Sequence, residues 1–255
     1  MKIGCCVPRE RIRSAREAGF AFAELAVTEN LQPLVDEAAW RPVRQEILAG
    51  GLPVEAANVF FPGDWHLIGP QVDAAATRAY IETAVRRAQE IGIQVMVFGS
   101  GKARSIPQGY PEDRARQELQ QVLRLLGEAG ARHGVTIAFE PLRKAETNLV
   151  HTVAEATAIV RPLQLPRLQV LADFYHMDEE GEPLDNLLLP GELLAHVHVA
   201  DTGRLAPGTG HYDYATFVAR LRQAGYQGRI SVECRWTDWE REAGQAFAFL
   251  KRVTS

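Results

Sequence analysis

The sequence predicts an α/β chain folded as a single (β/α)8 TIM barrel over residues 1–255, and three observations carry that reading. Short apolar strands alternate with longer amphipathic helices eight times in 255 residues, roughly 32 residues per unit, the size of a βαβ crossover. Charged and glycine-rich stretches follow the strands while the connections after helices are short, as in barrels whose sites lie at the carboxyl ends of the strands. An open doubly wound sheet would need a glycine fingerprint after the first strand, and Gly4-Cys5-Cys6-Val7-Pro8 does not supply it.

In chain order, Ile3–Val7 is a first strand, followed by a helix near Glu10–Ala18 that stops at Gly19. Phe22–Val27 is a second strand carrying Glu24, with a helix over about Pro33–Leu48. Val54–Phe60 is a third, followed by the long loop FPGDWHLIGP and a helix over Asp73–Ile91 with apolar residues at helical spacing. Gln94–Phe98 is the fourth strand, again with a long loop. The helix over Pro111–His133 opens on proline and closes before Gly134, the usual punctuation. Val135–Phe139 is strand five, trailed by a helix over Val150–Val160, and Leu168–Ala172 is strand six. A weakly patterned helical segment near Pro183–Leu189 leads to strand seven at Leu194. Asp213–Ala224 is a helix with Asp213 as its cap, Arg229–Val232 is strand eight, and Trp239–Val253 is the closing helix.

Composition narrows the function. A formal net charge of −4 with signs mixed along the chain gives no basic field for a nucleic-acid backbone, so a small polar substrate is expected. Three cysteines, two of them adjacent, do not make a spaced disulfide framework. Reduced thiols in a cytoplasmic protein are expected. The amino terminus becomes charged before a signal-peptide core can form, and no apolar run reaches membrane-spanning length.

Four successive strands end in a group able to bind a metal: Glu140, Asp173, His198 and Glu233. In strand seven His196 and His198 point the same way, because a strand has a period of two. Three carboxylates and one imidazole favour a hard divalent ion, Mn with Mg or Co as alternatives, over structural Zn. His176, three residues past Asp173, and Arg204, six past His198, are placed to reach a substrate. Glu146, by position alone, is equally a solvated loop residue. His196 reads as a core histidine, His211 and Asp213 as turn-shaping, and Trp65 and His66 as candidate substrate-wall residues. Lys102, Arg104, Arg143, Lys144 and Arg235 read as a solvated rim.

Taken together, Glu140-Pro-Leu with Glu146, Asp173-Phe-Tyr-His176, His196-Val-His198 with Arg204, Pro207-Gly-Thr-Gly210 and Ser231-Val-Glu233 resemble the xylose-isomerase-like barrel superfamily of sugar isomerases and epimerases, in particular its ketose 3-epimerase and hydroxypyruvate isomerase branch. The resemblance implies a divalent metal on Glu140, Asp173, His198 and Glu233, with His176 and Arg204 anchoring substrate oxygens. It also implies Glu146 and Glu233 as an acid/base pair across a metal-bound enediolate. Polarisation of a carbonyl and its neighbouring hydroxyl acidifies the C–H between them. A proton returned to the opposite face then gives an epimer, and one returned to the adjacent carbon an isomer. The implied partner is a sugar or polyol-derived ketone, and barrels of this family often form homo-oligomers.

The same superfamily offers an inosose isomerase or dehydratase, and a non-catalytic sugar-binding barrel, as alternatives. Endonuclease IV shares the barrel, but its three-metal cluster uses extra histidines after early strands and an Asp-x-His pair in the seventh loop, where this chain has Gly99-Ser100-Gly101 after the fourth strand and His211-Tyr212-Asp213 in the seventh loop.

Overall fold

A computed structural model describes residues 1–255. Eight strands, β1 (Lys2–Cys6), β2 (Phe22–Ala26), β3 (Val54–Asn58), β4 (Val95–Phe98), β5 (Thr136–Phe139), β6 (Leu168–Asp173), β7 (Leu194–Val199) and β8 (Arg229–Val232), pair in sequence order, all parallel. β8 returns to β1 and closes the barrel. The strands are buried on both faces, as parallel strands under a helical layer must be, so they read as apolar runs.

The outer layer comprises α1 (Ile12–Glu17), α2 (Val27–Asn30), α3 (Glu37–Ala49), α4 (Ala74–Ile91), α5 (Glu112–His133), α6 (Val153–Val160), α7 (Phe174–Glu179), α8 (Tyr214–Gln223) and α9 (Trp239–Thr254). Their starts follow capping chemistry: Asp36, Asp73, Thr152, Asp213 and Asp238 each accept a backbone N–H from the first turn. No helix is long and apolar enough to cross a membrane, and Cys5, Cys6 and Cys234 are free thiols.

Several boundaries differ from the sequence reading for local reasons. The third helix begins at Glu37 and not near Pro33, because Asp36 caps it. The helix expected from Val150 begins at Val153, since Val150 sits at φ 65 and Thr152 supplies the cap. β3 stops at Asn58 instead of Phe60, because Val59 turns to φ 47. Pro183–Leu189 forms only a 3-10 turn over Leu184–Leu188. The sequence pattern shows no helix at α7; Asp173 ends β6 and at once caps this short helix.

Inside the barrel the side chains are layered. At the amino end Glu55 of β3 accepts from Lys2 of β1 and, at 2.6 Å, from Arg229 Nε of β8. Above it Phe22 fills the space that Gly4 leaves: a Cβ there would lie 2.5 Å from the ring. At the carboxyl end the interior becomes acidic, and there the site begins.

Candidate active site

The strand ends place four side chains on one point. Glu140 follows β5, its backbone N–H continuing the ladder to Phe98 O at 3.1 Å, and Glu233 follows β8 in the same way, bonded to Val199 O at 3.0 Å. Asp173 closes β6 directly opposite His198 of β7 in the parallel register. One ligand atom from each of Glu140, Asp173, His198 and Glu233 lies within 4.8 Å of the others. His198 Nδ1 stands 3.4 Å from both Glu140 Oε1 and Glu233 Oε2.

Within this set of residues Glu140 Oε1, Asp173 Oδ2 and His198 Nδ1 are buried with no hydrogen-bond partner. Buried polar atoms are almost always satisfied, so three orphans converging on one point fit a cation. The donor set, three carboxylates and one imidazole, suits a hard divalent ion.

Other residues fix the orientation of this set. Asp173 Oδ1 is held by the backbone N–H of Tyr175 at 2.8 Å, which turns Oδ2 into the site. Arg204 donates to Glu233 Oε2 and lies 4.0 Å from Asp173 Oδ2 and 3.5 Å from His176 Nε2. Its backbone sits at φ 62, a costly conformation for a non-glycine residue. His176, one turn into α7, stands 3.6 Å from Asp173 Oδ2. Tyr175 packs under two guanidiniums, with Arg143 and Arg204 at 5.0 and 4.7 Å from its ring centre.

The charges are mutually tuned. Burial pushes the Glu233 carboxyl up, but His198 and Arg204 outweigh it and hold it at about 2. Burial raises Glu140 above the ordinary carboxylate range. Burial opposes a proton on His198, yet Glu24 and Glu233 keep its pKa well above the usual imidazole value.

The sequence-predicted residues do not all gather here. Glu146 stands at the rim, its side chain 37% exposed and its Oε1 accepting from Arg143 Nε at 2.9 Å. His66 is exposed and makes no hydrogen bond, while Trp65 turns away to donate to Thr77 Oγ1 at 3.1 Å. Arg104, expected at the solvated rim, is fully buried. Its guanidinium donates to Gly99 O, Leu149 O and Glu140 O and so ties down the backbone at Glu140. Arg143 and Lys144 are paired with Glu146, Glu179 and Glu180.

Two contributors escaped the sequence reading. Glu24 of β2 is fully buried between His196 and His198, and Asn58 of β3 bonds Glu233 Oε1. The signal for Glu24 was available: a lone carboxylate in the apolar run Phe22–Ala26 must find a buried partner.

A closed parallel barrel with three carboxylates and an imidazole gathered at its carboxyl end defines the class. The chain belongs to the xylose isomerase-like TIM barrel family, whose profile matches residues 12–253. It is 29% identical over 238 residues to 3-dehydro-D-guloside 4-epimerase of Escherichia coli (strain K12), covering 89% of this chain and 86% of that protein. It is 24% identical over 270 residues to L-ribulose 3-epimerase of Methylomonas sp. (strain DH-1), covering 96% and 91%. The crystal structure of apo 3-keto-D-glucoside 4-epimerase from E. coli matches the fold with a TM-score of 0.81 at 27% identity, over 99% of both chains.

Proposed function

We propose that this barrel is a divalent-metal-dependent epimerase of a keto sugar. The observation that carries the proposal is the convergence of the orphaned atoms of Glu140, Asp173 and His198 beside Glu233. The relatives named as sugar epimerases support it. Glu140, Asp173, His198 and Glu233 would hold the ion, Mn with Mg or Co as alternatives. When bound, it would supply Lewis acidity to a carbonyl and its neighbouring hydroxyl.

The chain's own residues do the rest. Glu233, held from both sides by Asn58 and Arg204, takes the proton from the carbon beside the carbonyl in this reading. Arg204 and His176, adjoining the ligand set, bind substrate oxygens. Glu146 is the residue to return a proton on the opposite face; Arg143 engages its Oε1 and leaves Oε2 for this task. One observation favours Glu140 in that second role instead. Its Oε1 and Glu233 Oε2 are both 3.4 Å from the same His198 nitrogen, whereas Glu146 stands at the rim.

The deciding experiment incubates the Mn-loaded protein with a panel of ketoses, 3-keto sugars and inososes in deuterated water, read by NMR. Deuterium entering beside the carbonyl together with a new epimer is the expected result. Metal uptake without exchange on any member would sink the epimerase reading.

A further inference from the structure

We propose that Glu24 is a positioning residue that selects which nitrogen of His198 faces the ligand cluster; the inference rests on the metal reading above. Glu24 Oε1 lies 2.9 Å from His198 Nε2, and Glu24 Oε2 lies 2.8 Å from His196 Nε2. An ionised carboxylate only accepts, so each Nε2 carries the proton in these bonds. A neutral imidazole protonated at Nε2 presents its lone pair at Nδ1. His198 Nδ1 is the nitrogen that stands buried and unpartnered beside Glu140 and Glu233.

The arrangement explains the second histidine of β7. His196 and His198 are two residues apart on the inner face of one strand, and their rings meet edge to face at 5.1 Å. His196 engages the second Glu24 oxygen, and Ser231 Oγ stands 3.2 Å from His196 Nε2. The carboxylate is therefore pinned at both ends across the barrel from β2. Cys6 Sγ also approaches Glu24 and His198 closely enough to suggest a second metal centre. Both Glu24 oxygens and His198 Nε2 are already engaged in hydrogen bonds, however, so this group supports the first site and does not form another.

Glu24→Gln tests the assignment. The amide has one accepting oxygen where the carboxylate has two, so it cannot serve both Nε2–H groups. Mn(II) affinity of the full chain is measured for the wild type, Glu24→Gln and Glu24→Asp, with imidazole nitrogen NMR of the Mg(II)-loaded protein and melting curves. Glu24→Gln is expected to weaken Mn(II) about 10- to 100-fold, the usual effect of losing a carboxylate behind a histidine ligand. Glu24→Asp, which keeps both oxygens, is expected to lose less, and wild-type His198 is expected to carry its proton on Nε2. Glu24→Gln with a lower melting temperature but Mn(II) affinity within about twofold of wild type, or wild-type His198 protonated on Nδ1, overturns the proposal. If Glu24→Gln does not fold, the imidazole nitrogen NMR of the wild type carries the test alone, with His198 protonated on Nδ1 as the overturning result. A wild type that takes up no Mn(II) fails in its own arm, and it overturns the metal reading and this inference together.

Discussion

Asn58 Nδ2 donates to Glu233 Oε1 at 2.7 Å across the mouth of the barrel, between β3 and β8, which are not neighbours in the sheet. With Arg204 on the other oxygen, Glu233 is fixed from two directions. A hydrogen bond to a charged group is worth about 1.5–3 kcal/mol, and each 1.4 kcal/mol or so is tenfold in rate. Asn58→Ala is therefore expected to lower kcat about 10- to 100-fold on the substrate that exchange identifies. Unchanged steady-state kinetics would remove Asn58 from the site.

The two candidate acid/base assignments separate by substitution. Glu233→Gln is expected to abolish both exchange and turnover and to weaken Mn(II) binding. If Glu146 is the second acid/base, Glu146→Gln abolishes turnover with Mn(II) binding intact. If Glu140 is, Glu146→Gln keeps proton exchange and shows its defect mainly in KM. Full activity in Glu233→Gln would defeat both assignments.

How far these features were legible in the sequence follows from what strands reveal. Period-two alternation put His196 and His198 on one face, and the strand ends marked Glu140, Asp173 and Glu233, because a barrel delivers those positions to one place. Contacts across the barrel were not legible. Nothing local in Phe22–Ala26 says that Glu24 meets a strand more than 170 residues away, and Arg104 looks like any loop cation until its three carbonyl partners assemble around it. α7 is not legible because Asp173 ends a strand and caps a helix at once, and a residue in that double position reads as a strand end.

The linked titrations give the site a pH signature. Without metal, His198 is raised above its ordinary 6.5, so its stabilising contribution is complete below that pH and is lost as pH rises through the folded value. Glu233, held at about 2 against 4.5, contributes above pH 4.5, and that contribution fades as pH falls toward 2. Ligation requires a deprotonated His198, so metal uptake releases protons and tightens with rising pH. EDTA-treated protein should lose stability above neutrality, and added Mn(II) should raise its melting temperature more at about pH 8 than at about pH 6. A metal-induced shift independent of pH would contradict this assignment of charges.

Arg104 should matter more for stability than for chemistry. Arg104→Met would strand the carbonyls of Gly99, Leu149 and Glu140, each costing about 1–3 kcal/mol when buried unpaired. Relief from burying a cation offsets only part of this. A loss of about 3 kcal/mol is expected, or roughly 6–12 °C in melting temperature for a chain of this size. A variant melting within a degree or so of the wild type would show that water replaces the guanidinium.

Gly99, directly after β4, offers the reverse experiment, a change that should spare the fold and damage the site. A Cβ added there would fall well inside contact distance of Glu140 Oε2, while the nearest atom of Leu142 lies at 3.6 Å. The Gly99 backbone is not in the left-handed region, so alanine brings no conformational strain of its own. The collision falls on the end of the Glu140 side chain, and the Glu140 backbone cannot shift to relieve it, because Arg104 holds its carbonyl at 2.9 Å. The side chain must therefore rotate away from the cluster. Gly99→Ala is expected to weaken Mn(II) binding about tenfold or more, at roughly 1.4 kcal/mol per decade, and to reduce turnover with it. Its melting temperature without metal should stay close to that of the wild type. Titration of Mn(II) into both proteins, beside their metal-free melting curves, decides the matter: equal affinities would mean that Glu140 does not ligate through the geometry seen here, and that Asp173, His198 and Glu233 hold the ion without it.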